Sequence, residues 1–264
     1  MAPAPDRLRG GTHSTPTSSY NWAGYVQQAT ARDTFTSVTD TFNVPTPTSS
    51  DLGTGQQLVA AWVGIGGYTY LGTLGVVDPT LVQAGIQVEV KTTKRRSGII
   101  YSAWTEDLPH PERRLPLVVA AGDTVTATVS EISANTWVME VHDVTTGKTK
   151  HRTLTYDASG LSAEAILETP CLGNSCSSSH RYAPLAPTTN VTFYPGYASI
   201  SAPGTPPVEQ PLLGTIAGLP PGDFGVLTEV ALDGGGSATP SAPNATDDGF
   251  TVADGTEAPP PPTG

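Results

Sequence analysis

Apolar and polar residues alternate along most of this chain with the two-residue period of a β-strand. Such segments fall at 19–29, 35–45, 57–67, 81–90, 100–108, 123–132, 136–144, 148–156, 162–168, 190–200, 225–232 and 249–252, with turn signals such as TTGK (145–148) and DGGG (233–236) between them. No helix-period segment exceeds about two turns. The pattern predicts an all-β fold: an antiparallel β-sandwich of two sheets, formed by one domain over 19–254. Residues 1–18 and 255–264, the latter ending EAPPPPTG, read as flexible tails.

Four segments carry an unusual second face. In LVQAGIQVEV (81–90), Val82, Ala84, Ile86, Val88 and Val90 share one side, and Gln83, Gly85, Gln87 and Glu89 share the other. In IYSAWTEDL (100–108), Tyr101, Ala103 and Thr105 oppose Ser102, Trp104, Glu106 and Leu108, and in LVAAWVGIG (58–66), Val59, Ala61, Val63 and Ile65 oppose Ala60, Trp62 and Gly64. AEAILE (163–168) sets Ala163, Ala165 and Leu167 against Glu164, Ile166 and Glu168, so that an isoleucine stands between two acids. An ordinary solvent face favours Thr, Lys and Arg. Tryptophan supplies flat apolar area with a polar handle, glutamine both donor and acceptor, and glycine close approach to the backbone. That mixture predicts a groove for an extended polymer.

Composition narrows the setting. Of the 264 residues only 14% are charged, while Gly (28) and Pro (25) are abundant, as suits a secreted protein exposed to acid. A net charge of −11 leaves no electrostatic reason to bind nucleic acid or an anionic membrane, and the one basic run, KTTKRR (91–96), reads as a hairpin loop. MAPAPDRLRGG lacks the apolar run of a signal peptide, so the chain is expected to start after a removed leader or pro-segment, with 1–18 a remnant. Cys171 and Cys176, in PCLGNSC, are expected to form a small disulfide loop, since a metal site would want more ligands than His180 beside them.

The usual catalytic signatures are missing: no HExxH, GxSxG, P-loop, DTG or DSG occurs, and the five histidines lie outside the groove set. Carboxylate and carboxamide chemistry remains. The ordered set NWAGYV (21–26), AWVGIGG (61–67), LVQAG (81–85), YSAWTEDLP (101–109) and AEAILE (163–168) resembles the glutamic peptidases, the eqolisin or G1 family, whose fungal members carry NWGG, AWVGIDG, ILQTG, a YDAWYEWYP-like segment and AEFIIE in that order. The resemblance implies a legume-lectin-like sandwich with its active site on one concave face. It places the catalytic glutamine at Gln83 and the catalytic glutamate at Glu168. Trp62, Trp104, Glu106, Trp22 and Gly66 become substrate-binding positions, and Glu164 a supporting one. The chain departs from the fungal pattern at Gly66 and Ser102, both Asp there, at Leu108 (Tyr) and at Pro170 (Phe).

The implied reaction is peptide hydrolysis without a covalent intermediate, cofactor or metal. Ionised Glu168 activates a water, and Gln83 stabilises the oxyanion. A free glutamate titrates near about 4.3, so the base form is expected to persist in mild acid. The expected substrates are proteins and peptides, and the expected state is a secreted monomer. Two alternatives stay open at this point: a lectin-like glycoside hydrolase using Glu106 and Glu168, and a carbohydrate-binding module.

Overall fold

The computed structural model describes residues 15–29, 33–48, 55–68, 78–92, 97–171, 182–214, 227–233 and 236–263. Among them there are sixteen strands and no helix. In chain order they are β1 (Thr15–Ser19), β2 (Trp22–Gln28), β3 (Thr34–Asn43), β4 (Gly55–Gly66), β5 (Leu81–Thr92), β6 (Ser97–Asp107), β7 (Arg113–Arg114) and β8 (Thr124–Ser133). There follow β9 (Thr136–Asp143), β10 (Lys148–Thr155), β11 (Ser162–Glu168), β12 (Val191–Ser201), β13 (Val208–Pro211), β14 (Leu227–Asp233), β15 (Ser237–Pro240) and β16 (Phe250–Asp254).

Hydrogen bonding runs β10-β9-β8-β3-β12-β16-β15-β14-β2-β11-β4-β5-β6-β7, with β1 on β14 and β13 on β12. The two layers of the expected sandwich are therefore one continuous, curled sheet, joined through β16, β15 and β14. Every pair of named strands is antiparallel except β1 with β14. β1 also starts inside the tail expected at 1–18. Its TPTSS sequence suits an edge, where Pro16 can be tolerated without a ladder N–H. Residues 1–14 lie outside the description, as do 93–96 of the basic hairpin; its flanks pair as expected, Thr92 opposite Ser97.

The core is the apolar set that the alternation assigned. Val59, Ala61, Val63 and Ile65 of β4, Val82 to Val90 on alternate positions of β5, and Ala163, Ala165 and Leu167 of β11 pack against Val38 and Phe42 of β3, Val125 to Val129 of β8 and Met139 of β9. Phe193 of β12 stacks on Phe250 of β16 with ring centroids 4.8 Å apart. Burial of such side chains, about 1.5–3 kcal/mol each, closes the curl.

The layers differ in their second faces. β8 and β9 alternate buried and partly exposed residues, as a half-solvated sheet should. Along β4, β5 and β11 both faces are buried over most of their length. The outer face carries its own apolar cluster: Val26, Ala60, Trp62, Leu81, Trp104, Ile166 and Val230, with Trp22, Tyr68 and Leu108 packed against it.

Candidate active site

Strand register sets the neighbours on this second face. One row across β2, β11, β4, β5 and β6 reads Val26, Glu164, Gly64, Gln83, Glu106. The next reads Gly24, Ile166, Trp62, Gly85, Trp104, and the third Trp22, Glu168, Ala60, Gln87, Ser102. Gln83, Glu106, Glu164, Glu168 and three tryptophans thus share one surface, although they come from five strands and span most of the chain.

Trp62 is the centrepiece. It is fully buried, its indole packed into the outer apolar cluster. It meets Trp22 edge-on at 5.2 Å, and its Nε1–H donates to Glu168 Oε2 at 2.8 Å. Glycine makes this placement possible. A Cβ at Gly85 would lie 2.5 Å from Trp62 Cβ, and one at Gly64 would lie 2.8 Å from Trp62 Cζ3. Trp104 is also almost wholly buried, and its Nε1–H has no hydrogen-bond partner.

Glu168 has a donor on each oxygen. Asn21 Nδ2 reaches Oε1 at 2.9 Å, opposite Trp62 on Oε2. Across the face, Gln83 Nε2 donates to Glu106 Oε2 at 2.6 Å, while its Oε1 is buried without a partner. Burial pushes the Glu168 carboxyl up to about 7; the Asn21 bond opposes the rise and the Glu106 charge adds to it. Burial likewise lifts Glu106 to about 7 against the pull of the Gln83 bond. Glu164 is fully buried, and burial holds its carboxyl well above the ordinary range against the pull of Ser162. Burial thus favours its neutral form. The free-glutamate value taken from sequence does not describe any of these three groups.

Gly66 ends β4 with φ +89°, and a Cβ there would lie 2.4 Å from Thr80 O. Its missing side chain lets β4 pass the Thr80 backbone. Asn21 is a site residue that the motif set leaves without a role; its signal in the sequence is a short carboxamide immediately before the tryptophan of NWAGYV. Cys171 follows β11 by three residues and its backbone bridges Tyr182, while Cys176 and His180 lie outside the described residues.

This face holds a carboxyl fixed by two neutral donors, a carboxamide anchored by a second carboxyl, and apolar walls that exclude water. It can move protons at one side of a bound group and supply an N–H at the other. No curated protein sequence matches the chain. Among solved structures, scytalido-glutamic peptidase with a transition state analog inhibitor is similar with a TM-score of 0.59 and 20% identity, covering 90% of this chain and 100% of that one. SCP-B, a member of the eqolisin family of peptidases in a complex with the tripeptide Ala-Ile-His, gives 0.54 and 19%, again over 90% and 100%. These likenesses establish a common fold. The sequence profile described as the Peptidase A4 family matches residues 20–234, from just before Asn21 to the end of β14, and so takes in the whole face. The chain belongs to the Peptidase A4 family, the glutamic peptidases.

Proposed function

We propose that this glutamic endopeptidase works through Glu168 and Gln83 as its catalytic pair. The observation that carries this is the arrangement of their tethers: Asn21 and Trp62 leave Glu168 able to ionise while holding its plane, and Glu106 holds Gln83. Ionised Glu168 takes a proton from water, and the water oxygen attacks the scissile carbonyl carbon. Gln83 Nε2 carries two hydrogens; one is held by Glu106 and the other is free to meet the oxyanion. When the C–N bond breaks, Glu168 returns the proton to the amine nitrogen.

The working form has one proton on the two carboxyls, Glu168 ionised and Glu106 neutral. Interacting groups of this kind lose their protons in two steps that belong to the pair. Activity should fall at low pH as Glu168 is protonated and at high pH as Glu106 ionises. This centres the working range near neutrality, higher than a free glutamate would give. Scytalido-glutamic peptidase and SCP-B bind peptide-like ligands, and by analogy the face takes an extended peptide. We further read the chain as a secreted monomer, with Cys171 paired to Cys176 beyond the end of β11, acting without nucleic acid or membrane.

The test is a double-mutant cycle on denatured protein at mildly acidic pH, beside a polysaccharide panel. Glu168→Gln and Gln83→Ala should each lower kcat by about 100-fold or more, and the double variant should be little worse than either, because groups that act as a unit are non-additive. A Glu168→Gln variant that keeps a tenth of the wild-type rate, or sugar release from the panel, would refute the assignment.

A further inference from the structure

Asn21 lies in the two-residue link between β1 and β2, with 147 residues separating it from Glu168. Its backbone is tied to the end of β11, since Thr169 N–H donates to Asn21 O at 2.9 Å. Its side chain is oriented as well. Ser19 Oγ donates to Asn21 Oδ1 at 3.2 Å, and the same Oγ accepts from the backbone N–H groups of Asn21 and Trp22 at 3.3 Å each. With Oδ1 occupied by a hydroxyl donor, the carboxamide has one consistent orientation, and that orientation turns Nδ2–H onto Glu168 Oε1 at 2.9 Å.

We propose that Asn21, oriented by Ser19, is a positioning residue that favours the ionised form of Glu168 and thereby sets the acid limb of the reaction. The inference rests on the reading of Glu168 as the base. A donor to a carboxylate oxygen stabilises the charged form more than the neutral one. Of the titratable groups nearby, the charge of Glu106 from β6 opposes this, whereas Tyr182, from the segment ahead of β12, has its own hydroxyl pushed up by burial and then by Glu168, and Glu164 on the same strand is itself pushed toward its neutral form by burial. Trp62 from β4 supplies the other donor, and Trp22 from β2 also favours the charge. Neutral donors are thus the counterweight to burial, and Asn21 is the stronger of those named.

The experiment follows Glu168 in two ways. Carboxyl ¹³C NMR titration, with Glu168→Gln to assign the resonance, reads its midpoint directly; kcat/KM against pH on a quenched peptide reads its effect. Asn21→Ala should raise the midpoint by about one pH unit, a tenfold shift, as expected for losing a hydrogen bond to a charge. The acid limb of kcat/KM should move with it while KM changes little. Ser19→Ala, which frees the carboxamide to flip, should move both in the same direction by a smaller amount. Asn21→Asp keeps the shape and adds a second acid, so it should raise the midpoint furthest. A midpoint within about 0.3 units of wild type in both Asn21→Asp and Ser19→Ala would overturn the proposal, whether or not Asn21→Ala folds. If the midpoint moves and no variant or wild type cleaves peptide, the peptidase mechanism fails while the role of Asn21 stands.

Discussion

Glu168→Gln should make the protein more stable at pH 8 and less stable at pH 4. The carboxyl is pushed from 4.5 to about 7 by burial, so the folded state resists its ionisation. A raised value means that the stability linked to this group is fully present below the unfolded value near 4.5. It is lost as pH rises through about 7, because over that span the unfolded chain ionises and the folded one does not. The shift of about 2.5 units corresponds to about 3 kcal/mol at 1.36 kcal/mol per unit. Glutamine removes this penalty but turns an NH₂ toward either Asn21 Nδ2 or Trp62 Nε1, losing one hydrogen bond, about 1 kcal/mol. The net change is a loss of about 1 kcal/mol at pH 4 and a gain of about 2 kcal/mol at pH 8. For a chain of this size each kcal/mol moves Tm by about 2–4 °C, so the two pH values should differ in sign and by roughly 6–12 °C in total. Self-digestion is avoided by comparing Gln83→Ala with Gln83→Ala/Glu168→Gln, followed by circular dichroism. If the difference between the two variants is the same at pH 4 and pH 8, the carboxyl is not raised in the folded state, and the account of its burial is wrong.

Two further outcomes follow from single positions. Gly66→Asp, which would restore the residue of the fungal motif, should lower stability by about 2 kcal/mol, because the left-handed φ and the Thr80 carbonyl both exclude a side chain; an unchanged Tm would show that this turn is not as tight as described. Glu164→Gln replaces an acid that is already neutral by an isosteric carboxamide, so it should cost under tenfold in kcat/KM on the same quenched peptide where Glu168→Gln abolishes it, and equal losses would place both carboxyls in the chemistry.

The period of two was enough to divide each strand into faces. It placed Val82, Ala84 and Ile86 in the core and Gln83, Gly85 and Gln87 opposite, as the structure has them. It could not say which residues become neighbours across strands, because register is fixed by pairing between distant segments. The β11 strand enters between β2 and β4, more than 90 residues before it in the chain, and only this insertion brings Asn21 and Trp62 to Glu168. Burial was equally illegible. A tryptophan on a polar face looks like a platform for a ligand, and only the second apolar cluster reveals that Trp62 is a buried arm whose polar end holds the base.

The isoleucine between the two acids of AEAILE is part of that cluster. Ile166 packs with Trp62, Val26 and Leu81, so it carries an apolar surface into the space beside both carboxyls. Low polarity disfavours charge on each of them. Their fates then diverge through their rows. Glu164 has Val26 on one side and Gly64 on the other, with only Ser162 of its own strand to oppose burial, and is pushed toward its neutral form. Glu168 lies one row beyond Ile166, where the link before β2 and the Trp62 indole each bring an N–H. It is raised far enough to accept a proton in mild acid, yet supported enough to give it up near neutrality. Two acids four residues apart on one strand are thereby made into a fixed neutral group and a working base, and the difference between them comes from two hydrogen-bond donors.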